Sequence, residues 1–267
     1  MTLFLLVKGV LAAYFLATLF FLIYLVTRQR ALAVVSVWVT ALGGAGHTAL
    51  LVGLMAAQGV VPVATLDQAL AFVAWGLVGV LLGVELRYRL HVLGSFILPL
   101  SFLLLLPIGV SIDGAAPGRD EAPALLTSAW FGVHAVFSLL GFVAFAVAFV
   151  IGLMYLTQDR LLKAKRFNRL FEQLPSLDFL DEMNQGTILL GFPLLTIGML
   201  SGAIWASRIT DDFWSWTPKQ TLTLVTWLFY LVILHGRMNF GWRAKRAAML
   251  AIIGFAVVGV TFLYVFI

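Results

Sequence analysis

The sequence predicts an all-α bundle of about eight transmembrane helices, one integral-membrane domain over 1–267, with both termini external. Three observations predict it. Apolar residues make up 62% of the chain and charged residues only 11%, and the mean hydropathy is +1.05. A soluble domain of this size could not cover its surface with so few charges. The apolar runs are also long and continuous, without the period-two alternation of a membrane β-barrel. In lipid that leaves helices, whose backbone groups are satisfied internally. Finally, the basic residues are distributed very unevenly among the loops.

The runs place spans near 5–26, 32–56, 67–85, 92–111, 126–156, 186–207, 221–236 and 247–266, each close to or above the ~20 residues needed to cross. The seventh is short, and Trp216 and Trp242 flank it as candidate interfacial anchors. The fifth is long and must tilt or project. The first run continues past the length of a signal core, so no cleavable leader is expected. Gly79/Gly83 and Gly198/Gly202 have the spacing for close helix contacts.

Arg28, Arg30, Arg87, Arg89, Arg160, Lys163, Lys165, Arg166, Arg169, Arg237, Arg243, Lys245 and Arg246 lie on one side of this topology. Lys8, Arg119, Arg208 and Lys219 lie on the other, 4 of the 17 basic residues against 13. The positive-inside rule makes the first set cytoplasmic. The termini, the 112–125 loop and the segment around Trp214 are then external, and the membrane is the inner one. The net charge of +5 follows from this asymmetry, so nucleic acid is not expected as a partner. Within 158–185, Leu161, Leu162, Phe167, Leu170, Phe171 and Leu174 recur near a helical period among Lys and Arg, up to Pro175. Such a helix can lie on the anionic inner leaflet or dock a cytoplasmic partner.

Without cysteine there are no disulfides, thiolate metal sites or Cys nucleophiles. No phosphate-binding glycine motif, HExxH or Ser/His/Asp arrangement is present, so no catalytic residue is assigned. Glu85 ends the third span beside Arg87 and Arg89 and is expected to pair with them. The spans lack the mid-membrane acids of a proton-coupled transporter.

Four histidines remain. An imidazole in hydrocarbon is costly without a partner. His47 and His134 sit at similar depths, about 15 and about 12 Å from the external side by helical rise. Two histidines on different helices at one depth can ligate a haem iron axially, or each can hydrogen-bond locally. His235 closes the seventh span before Arg237 and reads as a snorkelling or capping residue; His91, beside Arg89, reads as solvated. Between the sixth and seventh spans runs Phe213-Trp214-Ser215-Trp216-Thr217-Pro218-Lys219-Gln220, with Trp205 upstream. These tryptophans suit either an aromatic belt or a flat ligand such as a porphyrin or quinone. Lys219 and Arg208 could meet propionates, while Asp211 and Asp212 oppose that.

The ordered set Ile204-Trp205-Ala206, the tryptophan-rich run, Trp227, Tyr230, Leu234-His235-Gly236-Arg237 and Gly241-Trp242-Arg243 resembles the cytochrome c assembly family, in its CcsA/HemX-like branch. Trp130-Phe131-Gly132-Val133-His134, the basic exit of the fifth span (156–162) and His47 are similar too. The resemblance covers most of the chain and is strongest over 125–250. It implies non-covalent, b-type haem held beneath an external Trp-rich loop. Trp214, Trp216, Pro218 and Lys219 match the motif typically written W-x-W-D-P-K-E, with Trp205 before it. His134 matches the histidine preceding that motif and His235 the one in the helix after it. His47, His134 and His235 become the candidate iron ligands. Thr217 and Gln220 replace the acidic residues of the motif, Asp211-Asp212 replaces its usual Trp-Gly lead, and no second external histidine follows His235.

Two functions follow as expectations. One is haem handling in cytochrome c biogenesis or haem delivery, with haem, the bilayer and a partner membrane subunit of the assembly machinery as partners. The other is a HemX-like regulator of haem biosynthesis, docking a cytoplasmic haem-pathway enzyme on the basic 158–185 segment. A quinone or small-solute protein sharing only the architecture is the third and least supported.

Overall fold

The computed structural model describes residues 2–111, 128–210 and 212–266. The 112–125 loop with Arg119, and Asp211 in the lead to the Trp-rich run, fall outside them. Among the described residues the chain forms α1 (Thr2–Thr27), α2 (Arg30–Gln58), α3 (Leu66–Tyr88), α4 (His91–Ser111), α5 (Ala129–Lys163), α6 (Arg169–Gln173), α7 (Leu177–Thr210), α8 (Pro218–Asn239) and α9 (Ala244–Phe266). All but α6 are long and apolar enough to span a bilayer. The chain is therefore a multi-pass membrane protein. It divides into two compact units, Met1–Thr127 and Ser128–Ile267.

In the first unit α1 packs most closely on α2 and then on α4, α3 packs on α4, and the α2–α3 contact is lighter than these. Val10, Tyr14, Ala17 and Phe21 of α1 are buried, together with Leu50 of α2, Leu77 and Leu81 of α3 and Ile97 of α4. Gly94 on α4 makes room for the Phe21 ring, which a Cβ there would strike. Gly79 and Gly83 face open space, so this small-residue pair is not used for packing within the unit.

The turn from α3 to α4 corrects two expectations. Arg89 takes a left-handed conformation with φ of 51°, and the next helix starts at His91. That reversal brings His91 Nδ1 against Glu85 Oε1, so the carboxylate pairs with the histidine and not with Arg87 or Arg89. His91 is accordingly no solvated residue; its side chain is 20% exposed and its ring meets Tyr24 edge-on. Arg87 lies over the Tyr88 ring.

In the second unit α5 packs most closely on α7, then on α9, with lighter α8–α9 and α7–α8 contacts. Its core gathers Phe145, Ala148, Ile188, Leu195, Tyr230, Ile233, Ala251 and Val258, with Phe145 stacked on Tyr230. Here the small-residue pair is used: a Cβ at Gly198 would strike Ser138, and one at Gly202 would strike His134. Small residues at such a crossing let two helices approach closely.

The predicted amphipathic helix over 161–174 is corrected. α5 runs on through Leu161 and Leu162 to Lys163, and only the five-residue α6 follows. Asn168 caps α6 by accepting from Phe171 N at 3.0 Å, and Gln158 holds it to α5 through the Phe171 carbonyl. α7 begins just after Pro175, nine residues before the predicted 186, with Asp178 in its first turn. Polar residues near helix ends hid both extensions from a hydropathy reading.

That extension carries the strongest polar cluster of the unit. Arg237 Nη2 donates to Asp181 Oδ1 at 2.9 Å and to the Asp181 carbonyl at 3.0 Å. Asn184 donates to the Ala148 carbonyl at 2.8 Å. The Asp181 carboxylate also accepts from Ala244 N at 3.2 Å, which ties the starts of α7 and α9 to the end of α8.

Candidate functional site

His134 lies one and a half turns into α5 and faces α7. Its Nδ1 is 2.7 Å from the Gly198 carbonyl. A carbonyl oxygen only accepts, so Nδ1 must carry the proton, and in neutral imidazole Nε2 then keeps its lone pair. Ser201 Oγ shares that carbonyl, and the absence of a side chain at Gly202 lets the ring lie against the helix. The indole of Trp205 stacks on His134, centroids 6.2 Å apart and planes 17° apart, and the Phe131 ring meets Trp205 at a tilt. Metal-ligating histidines are held this way, the distal nitrogen bound to a carbonyl and the proximal one presented.

The Trp-rich segment is built around the start of α8. Thr217 is its N-cap, accepting from Gln220 N, and Pro218 occupies the first turn, where its missing N–H costs nothing. Gln220 Oε1 reaches back to Ser215 N at 3.0 Å. This is the reciprocal logic of a capping box, carried out by Thr and Gln where the family motif has Asp and Glu. The departures at 217 and 220 thus preserve the turn while removing two negative charges. Trp216 has φ of 52°, is 68% exposed and meets Trp214 edge-on at 6.0 Å. The indole nitrogens of Trp205 and Trp214 are buried without partners.

Lys219 and Arg208 are not brought together. Lys219 Nζ donates to the Val265 carbonyl at 2.7 Å, closing the end of α9, and Arg208 lies over the Trp130 ring.

His235 lies at the other end of α8, 17 residues beyond Pro218, which is about 25 Å along the axis. His235 and the Trp-rich segment therefore cannot grip one porphyrin. Asn239 Nδ2 lies 3.0 Å from His235 Nδ1 and also donates to the His235 carbonyl, so here Nδ1 accepts and Nε2 carries the proton. The imidazole opens on a groove of about 270 Å³ lined by Leu231, Val232, Gly236, Phe240 and Trp242. Gly241, with φ of +63°, reverses the chain and brings Trp242 onto Gly236, where no side chain would fit.

His47, in the first unit, is completely buried. Its Nδ1 is 3.0 Å from the Tyr14 hydroxyl, and its Nε2 has no hydrogen-bond partner. Within each unit the two histidines thus occupy separate settings. Among the described residues no three His, Asp or Glu converge as a chelate. Sequence reasoning missed Tyr14, the Gly198 carbonyl and the Asp181–Arg237 pair. Only the last left a signal, the polar residues Asp181, Asn184 and Gln185 at helical spacing.

Fold and site together define an all-α, multi-pass membrane protein in which a histidine of set tautomer stacks on a tryptophan. The family described as Cytochrome C assembly protein matches residues 63–267, and the chain belongs to that family. A cytochrome c biogenesis protein CcsA of Guillardia theta is 31% identical over 225 residues, covering 77% of this chain and 73% of that one. A CcsA of Prochlorococcus marinus (strain MIT 9312) is 32% identical over 222 residues, covering 76% and 72%. Among solved structures, Cytochrome c Heme Lyase CcmF shares the fold with a TM-score of 0.60 at 18% identity. It covers 98% of this chain, which spans about half (48%) of CcmF.

Proposed function

We propose that this protein handles haem in cytochrome c biogenesis, binding it non-covalently and presenting it to a partner subunit of the assembly machinery. It would act as one unit over 1–267 in the inner membrane, with termini and Trp-rich segment external. The positive-inside asymmetry and the names of the CcsA relatives and of CcmF support this reading. The observation that carries it is His134, whose Nδ1–H is committed to Gly198, leaving Nε2 for iron. Trp205, Trp214 and Trp216 would flank the macrocycle, Pro218 would hold the turn, and Lys219 would reach a propionate after leaving Val265. His47 and His235 are the further proposed ligands, each in its own setting; His235 would need the opposite tautomer. When bound, haem supplies a redox-active iron and reactive vinyl groups. The chain supplies orientation and a water-poor surround.

The test is the absorption spectrum of detergent-purified protein, oxidised and dithionite-reduced, after expression with haem available. A sharp Soret band with split α and β bands is expected, and His134→Ala is expected to lose the share of that signal held at His134. A wild-type protein without haem after reconstitution would sink the reading.

One observation favours the HemX-like reading: Phe167 is 61% exposed between Lys165 and Arg166 on one side and Arg169 on the other. A haem-pathway enzyme with an acidic, apolar surface would dock there. Charge reversal at Lys163, Lys165 and Arg166 would then abolish regulation while His47 and His134 variants leave it intact. The converse pattern in a haem-biosynthesis reporter strain would exclude it.

A further inference from the structure

The two units repeat one arrangement, helix by helix, and the repeat isolates a feature that packing does not require. In each, the first helix packs most on the second and next on the fourth. Gly43 of α2 receives Ala13 and the Tyr14 ring; Gly191 of α7 receives Ala144 and the Phe145 ring. Five residues after each glycine stands a threonine, Thr48 or Thr196, that accepts from an indole of the third helix. Trp75 Nε1 donates to Thr48 and Trp227 Nε1 to Thr196, both at 2.9 Å.

With these positions matched, Tyr14 corresponds to Phe145 and His47 to Leu195. The second unit closes the same crossing with two apolar side chains, both essentially fully buried. The first unit spends a buried tyrosine hydroxyl and a buried imidazole there, and leaves Nε2 without a partner. A buried polar atom left unpaired is destabilising, whereas replacing both partners by apolar groups of similar shape can be neutral.

We infer that Tyr14 and His47 form a ligand-presenting pair, with Tyr14 the positioning residue that orients His47 so that Nε2 meets the iron of haem. This rests on the haem reading above and adds to it a residue that no motif marks. With Nε2 on iron, Nδ1 carries the proton and donates to the Tyr14 oxygen, which makes the imidazole a stronger donor.

The experiment gives the first unit the residues of the second. Tyr14→Phe/His47→Leu is expected to express, to unfold at the same temperature as wild type or higher, and to lose its share of low-spin haem signal by absorption and electron paramagnetic resonance. Tyr14→Phe alone is expected to keep haem but shift its reduction potential upward, since the imidazole loses its acceptor. A purely structural tyrosine would leave the potential unmoved. A double variant that unfolds would show that packing needs the pair, and one with unchanged spectrum and potential would show that it does not touch haem; either overturns the inference. His134→Ala in the same series separates the readings: haem lost there and unchanged in the double variant leaves haem handling standing without this pair. Wild-type protein without haem overturns both.

Discussion

Replacing Arg237 with alanine is expected to lower the unfolding free energy by about 3–5 kcal/mol, the largest stability loss among single changes considered for this chain. The arginine side chain is only 1% exposed, and its partner Asp181 is 18% exposed. Removing the guanidinium strands a carboxylate that also holds Ala244 N, so the α7, α8 and α9 ends loosen together. Breaking one side of a buried pair costs more than the pair itself contributes. The double change Arg237→Met/Asp181→Leu should therefore recover most of the loss. Denaturant titration in detergent followed by tryptophan fluorescence reads both. A loss below about 1 kcal/mol for Arg237→Ala would mean the pair is solvent-relaxed and weak.

Gly198→Ala is expected to damage stability and haem binding together. A Cβ at 198 would lie 2.8 Å from Ser138 N and 2.9 Å from Ser138 Cα. Backbone cannot swing aside, so α5 must move off α7, at a cost of about 1–3 kcal/mol. The same residue's carbonyl holds His134 Nδ1, so the movement also frees the imidazole to change tautomer. Gly83→Ala is the matched control from the other small-residue pair; a Cβ there meets nothing within 4 Å. It should be neutral or slightly stabilising, since alanine favours helix. Thermal unfolding and the Soret absorbance per mole of protein check both, and equal behaviour of the two variants would remove the packing argument.

Eight spans were legible because hydropathy, length and the charge of flanking loops all report on a single property, the lipid environment of each stretch. Pairing was not legible, because it depends on what a turn brings back. Glu85 stands four residues before Arg89, yet the left-handed backbone at 89 hands it to His91. α5 and α7 overran their predicted ends because Asp159 and Asp181 look like loop residues until Lys163 and Arg237 are seen beside them. His134 and the tryptophans could be named from their motif. The tautomer of His134 depends on a carbonyl 64 residues away, and no local pattern encodes it. Tyr14 was passed over because a tyrosine in an apolar helix looks like any other large core residue.

The neutral cap at the start of α8 bears on how its turn responds to pH. A cap built from Asp and Glu holds its turn only while those carboxylates are ionised, and as pH falls through their lowered pKa values the stabilisation is lost. Thr217 and Gln220 do not titrate in that range. The bonds that cap this turn, from Gln220 N to the Thr217 hydroxyl and from Ser215 N to Gln220 Oε1, are therefore kept in acid that would neutralise a carboxylate cap.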